Sequence, residues 1–389
     1  MIGAPLVLPA PTSGAETALQ LEALLGHHSI LAADLMRARI RGDADLAQSA
    51  NAALGQNTKA MGDLLQPVIG GKGREQFAEA WAEHITELFN YARGLATKDE
   101  AVRKDAHEEL VEYEEDLATF FVAQSHGRLN QAAALAAVRE HVDHLVEGAD
   151  AYAAKDYQGA ATMYRHAYAH SFQLGAALAH ALLPAKVGAG LDSPALTLRS
   201  SLTQSLGEHV ALVVAAMRSA VGDQDDFSAM GTALNANTLD LTSAIDTLFG
   251  ATAAKGFQSR WADHVDQLMV YTSATVKDDA AGQQTARLKL REFDSSFAAF
   301  LNTATQNRVG EPALTQTFAL HDRMLLAEID AYAAKSFQPA QDLSQQAYAE
   351  MFTVSQQLSE AIGATLGDRL PRGGSQTGGG GLAVHLSGG

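Results

Sequence analysis

The chain has 389 residues, of which 47% are hydrophobic, 19% charged and 6% aromatic. Its 45 acidic residues against 28 basic ones give a net charge of −17, a surface that repels phosphate backbones and excludes nucleic-acid binding. The lack of cysteine excludes disulfides, thiolate metal sites and Cys nucleophiles, and no apolar run approaches the ~20 residues that span a bilayer.

Residues 1–16 read as a flexible arm. Its start, Met1 to Ala10, is apolar but broken by Pro5 and Pro9, and no Lys or Arg precedes it. That pattern fits a disordered arm on a cytoplasmic protein, or the remnant of a trimmed signal peptide on an extracytoplasmic one. Beyond it the apolar period is helical. Leu46, Ala50, Ala53, Asn57, Ala60 and Leu64 step by three and four, as do Phe77, Trp81, His84, Leu88, Tyr91 and Leu95. Strand-like alternation is absent, and Ala, Leu, Gln and Glu favour helix throughout. The predicted fold class is all-α.

Self-comparison at an offset of 180 residues reveals a repeat. Asn57-Thr58 recurs as Asn237-Thr238, Phe77 and Trp81 as Phe257 and Trp261, and the run Asp150 to Lys155 recurs intact as Asp330 to Lys335. We read this as a tandem duplication of an Ala-rich six-helix bundle, each copy built from three helical hairpins. Residues 17–186 form the first copy, 187–198 a linker carrying Gly188, Gly190 and Pro194, 199–366 the second copy and 367–389 a Gly-rich tail. Within each copy a weaker repeat places a histidine in each hairpin: His28, His84 and His141, then His209, His264 and His321. Asp43, Asp99, Asp156 and Asp279 each lie 15 residues beyond such a histidine, where a carboxylate suits a helix N-terminus.

Three residues before each repeated histidine stands a bulky apolar side chain: Leu25, Trp81 and Val138, then Leu206, Trp261 and Phe318. The imidazoles should therefore be buried and neutral, the form that binds metal. The second copy keeps histidine at these positions alone, whereas His107, His126, His144, His166 and His180 have no counterpart there. If the hairpins close about a common axis, three imidazoles converge, and His170 or Glu350 supplies a fourth ligand. The expected ligands are His28, His84, His141 and His170 in one copy, with His209, His264, His321 and Glu350 in the other. Such a set suits copper, zinc or iron, with Asn57 and Asn237 orienting a ring. This makes the chain a non-catalytic metal-binding protein. The competing reading is a helical scaffold whose acidic faces bind protein partners and whose core histidines fix register. An enzyme using the same metal ranks below both, because no separate acid, base or nucleophile stands out.

Other motifs carry less. The Glu-x-x-His signature of hemerythrin-like and ferritin-like bundles is missing, since Glu22 is followed by Leu25 and His84 is preceded by Trp81. Gly70-Gly71-Lys72-Gly73 lacks a preceding strand and so is no phosphate cradle. Glu112 to Asp116 reads as a solvated helix face. The stretch Ala151 to Ala160 resembles the turn of a tetratricopeptide repeat, which implies a tight interhelical turn. The tail peptide Leu382 to Gly389, on its Gly tether, resembles the cargo-loading peptides of encapsulin shells, which implies a shell as partner.

Overall fold

The computed structural model describes residues 8–370, and every regular element among them is helical. The start of the arm and the tail peptide lie outside the described residues. The chain divides into two units, Leu8–Asp192 and a second beginning at Ser193.

In the first unit, α1 (Gly14–Arg41) is the central rod. It packs against α2 (Ala44–Thr97), α4 (Gln131–Ala153) and α5 (Tyr157–Leu182). Its residues 18–32 are buried without a break, as happens when neighbours enclose a helix on all sides. The sequence reading treats α1 as one hairpin arm among equals, and its enclosure corrects that. The remaining elements are α3 (Glu100–Gln124), which follows α2, and α6 (Ala185–Leu191).

The helix ends follow the chemistry of their side chains. The Asp43, Asp99 and Asp156 carboxylates accept from the backbone N–H of Leu46, of Ala101 and Val102, and of Gly159, capping α2, α3 and α5. Gly70 breaks α2 with φ 74° and ψ 175°, a conformation open essentially to glycine alone. The break turns α2 into two limbs, so α1, the two limbs, α3, α4 and α5 supply six rods. The short α6 is an addition: it occupies the start of the expected 187–198 linker, and α7 takes up the end, leaving Asp192 and Ser193 between them.

The second unit runs through α7 (Pro194–Val221), α8 (Phe227–Phe249), α9 (Ala251–Val276), α10 (Ala280–Ala304), α11 (Glu311–Ala333) and α12 (Phe337–Leu366). Here α7 packs against α8, α9, α11 and α12. Gly250, at φ 85° and ψ 168°, separates α8 from α9, and Asp279 caps α10 through Gly282 N–H.

The repeated Asp-Ala-Tyr run ties helices together. The Tyr91 hydroxyl donates to the Asp150 carboxylate at 3.0 Å, joining α2 to α4, and Tyr271 donates to Asp330 at 2.9 Å, joining α9 to α11. The solvated-face reading of Glu112 to Asp116 holds for Glu112, Glu115 and Asp116 only. Tyr113 and Glu114 point inward, and Glu114 is ion-paired with Arg139 at 3.0 Å.

Candidate metal centre

His28 on α1, His84 on the second limb of α2 and His141 on α4 are fully buried, with ring centroids 5.0, 5.6 and 6.2 Å apart. His209 on α7, His264 on α9 and His321 on α11 form a matching group with spacings of 5.6, 6.2 and 6.1 Å. In each triad one ligating nitrogen per ring lies within 4.8 Å of the others. Nitrogens bound at ~2.0–2.1 Å to one tetrahedral ion stand ~3.4 Å apart, so small ring movements bring either triad onto a metal. The central helix makes this possible: α1 and α7 each hand a ring to two helices that pack directly on them.

The apolar side chain one turn before each histidine is buried as the sequence implies, and it strips the ring of water. Burial drives His84 down to about 3 and His321 to about 4, and holds His28, His141, His209 and His264 well below the ordinary imidazole value. Neighbouring imidazoles depress all four of this second set further. All six rings are neutral at pH 7, the form that can ligate a metal.

Proton positions in the first triad follow from donor identity. The Trp81 indole N–H can only donate, and it meets His28 Nδ1 at 3.1 Å. His28 Nδ1 therefore accepts, its Nε2 carries the proton, and that Nε2 donates to His84 Nε2 at 3.1 Å. His141 turns Nδ1 to the Ser171 hydroxyl at 2.9 Å and leaves Nε2 buried without a hydrogen-bond partner. His84 stacks on Tyr113 with centroids 4.6 Å apart, which fixes its plane.

The second triad is less satisfied. Both nitrogens of His209, the Nδ1 of His264 and His321, and the Trp261 indole nitrogen are buried without hydrogen-bond partners. Carboxylates stand behind two of the rings. Asp322 Oδ1 is 3.5 Å from His264 Nδ1, and Glu350 Oε2 is 3.9 Å from His321 Nδ1. Burial raises Glu350 to about 8 and Asp294 to about 6, and it pushes Asp322 well up, aided by the nearby Asp294 charge. A cavity of about 40 Å³ adjoins this triad, lined by Trp261, His264, Phe293, Phe297, Phe318 and His321 among other apolar groups.

Four expected roles need correction. His170 does not join the first triad: its Nε2 donates to the Ala137 carbonyl at 2.9 Å, and its Nδ1 faces Glu140. Glu350 falls outside mutual reach of the second triad and lies on the Nδ1 side of His321. Asn57 Nδ2 donates to the Leu24 carbonyl at 3.0 Å, and Asn237 Nδ2 to the Ser205 carbonyl and the Glu208 carboxylate, so neither orients a histidine ring. Sequence reasoning missed Ser171 and the Asp294–Asp322 pair, which no spacing announces. It also missed a group formed by Glu140, His144 and His170, which the i, i+4 spacing of Glu140 and His144 could have revealed. No protein-family model, curated protein or solved structure matches the chain.

Proposed function

We propose that this protein is a non-catalytic metal-binding protein for copper, zinc or iron, built by tandem duplication of a six-helix bundle with one buried histidine site per copy. The observation that carries the reading is the convergence, in each unit, of three neutral, buried imidazoles with one ligating nitrogen apiece within 4.8 Å of the others. A buried polar atom left unsatisfied costs about 1–3 kcal/mol, and a cation between the rings would relieve His141 Nε2 in one triad and a nitrogen of His209 in the other. The ligands are His28, His84 and His141 in one copy and His209, His264 and His321 in the other. Three nitrogen donors in an apolar shell favour borderline transition metals over calcium or magnesium. Asp322 and Glu350 face Nδ1 of His264 and of His321 at 3.5 and 3.9 Å, the side from which carboxylates orient metal-bound histidines, so these two rings would ligate through Nε2. The fourth position belongs to water or a small exogenous ligand, for which the adjoining cavity has room, one water needing about 10–15 Å³.

A helical interaction scaffold with structural histidines is the second reading. It is favoured by the closed chain from Trp81 through His28 to His84, which satisfies part of the first triad without an ion. Metal stoichiometry and thermal melting of the chelator-treated chain, with Cu²⁺, Zn²⁺ or anaerobic Fe²⁺ added, separate the two. A metal that binds only the folded chain stabilises it by about 2.7 kcal/mol at a hundredfold excess over Kd. No bound ion and an unshifted melt at saturating metal reject the site and leave the scaffold.

A further inference from the structure

The first unit carries another cluster of ligating groups, at the edge of the α4–α5 pair. Glu140 and His144 are one turn apart on α4, and His166 and His170 one turn apart on the antiparallel α5. Ligating atoms of Glu140, His144 and His170 lie within 4.8 Å of one another, and the His144 ring is 5.9 Å from His166 and 5.5 Å from His170.

The contacts of His170 set its orientation. Its Nε2 must carry a proton to donate to the Ala137 carbonyl, which turns Nδ1 toward the cluster. That Nδ1 stands 3.5 Å from Glu140 Oε1. The His144 Nδ1 is buried with no hydrogen-bond partner. A metal ion between these groups would be coordinated by atoms already within reach of one another, and the Ala137 carbonyl holds His170 so that it ligates through Nδ1. The His170 side chain is only 4% exposed, whereas that of Glu140 is 53% exposed, so the cluster has a rigid inner wall and an opening to solvent.

We propose that Glu140, His144 and His170, with His166 beside them, form a solvent-open site for a divalent transition-metal ion, separate from the buried triads. Two or three imidazole nitrogens with one carboxylate oxygen suit Zn²⁺ and Cu²⁺. The site belongs to the first unit alone, because the residues 180 positions on are Leu320, Met324, Gln346 and Glu350. His141, the neighbour of Glu140, belongs to the buried triad and bonds to Ser171, the neighbour of His170. The rim site therefore sits directly outside the inner one.

Zn²⁺ titration of the chelator-treated full chain, read by equilibrium dialysis and repeated with Cu²⁺, tests this. Glu140→Gln/His144→Gln alters an exposed and a half-buried position and leaves the buried His170 in place. The expected result is one metal equivalent lost or weakened at least about tenfold, while His84→Leu/His264→Leu retains that equivalent. A Glu140→Gln/His144→Gln chain with unchanged stoichiometry and affinity for both metals overturns the rim site. Loss of the equivalents removed by His84→Leu/His264→Leu bears on the buried triads alone, so the two proposals fail separately.

Discussion

The proton that Trp81 forces onto His28 Nε2 sits where a metal would bind. Coordination of a neutral His28 through Nε2 moves that proton to Nδ1 and breaks the 3.1 Å bond from the indole N–H. Trp81→Phe removes the bond that opposes this tautomer. Calorimetry should therefore find metal binding at the first triad tighter in Trp81→Phe than in the parent by about 0.5–1.5 kcal/mol, the net worth of one hydrogen bond, and an unchanged or weaker affinity contradicts it. The same rings govern acid stability. A ring held neutral in the folded chain, as His84 is down to about pH 3, takes up a proton on unfolding at any pH between there and its ordinary value of 6.5. Stability present above pH 6.5 is lost as pH falls through that window, by about 1.4 kcal/mol per pH unit for each such ring. Glu350 acts in the opposite sense: raised from 4.5 to about 8, it favours the folded chain most below pH 4.5 and loses that contribution as pH rises through 8. Six triad rings outnumber Glu350, Asp294 and Asp322, so urea denaturation should find the metal-free chain less stable at pH 5 than at pH 7. Equal stability at the two values contradicts buried, neutral rings. At this scale the repeated histidines were legible because a bulky apolar neighbour one turn earlier marks a buried stripe. The positions of His170 and Glu350 were not, because spacing along a helix does not say which way a ring turns once a backbone carbonyl such as that of Ala137 competes for it.

Gly70 and Gly250 decide where the helices that carry His84 and His264 begin. Both adopt φ near +80° with ψ near 170°, and a Cβ built at either meets nothing within 4 Å. The penalty of Gly70→Ala or Gly250→Ala is therefore purely conformational, about 1–3 kcal/mol each. Chemical denaturation of the single variants checks this, and wild-type stability would mean that the limb directions are not set by these glycines. The caps at Asp43, Asp99, Asp156 and Asp279 were readable from sequence because an Asp at a helix start has one favourable local role. The full enclosure of α1 was not readable. An apolar stripe at period 3.6 announces one packed face, whereas α1 buries Gln20, Glu22, His27 and Ser29 beside its apolar residues. Only the set of helices around it explains why those polar groups are inside. Glu114 was misread for a related reason: its partner Arg139 lies on another helix and is invisible to a run of like charges.

Across the whole chain, the all-helical class was plain from composition and period, and residues 187–198 read as a linker from their Gly and Pro residues. That this stretch folds into α6 and the start of α7 was hidden, because the same residues are permissive of helix once neighbours pack on them. The acidic balance of −17 gives the chain a negative field that raises the concentration of cations near its surface. Two triads of similar spacing, one in each unit, make a stoichiometric statement that a single site would not. Native mass spectrometry of the full chain loaded with Zn²⁺ reads it directly against His84→Leu/His264→Leu, whose leucines remove the ligands while preserving apolar packing. The account predicts that the parent carries two more ions than the double variant. Equal ion counts in the two chains, or no ion on the parent at saturating Zn²⁺, would contradict it.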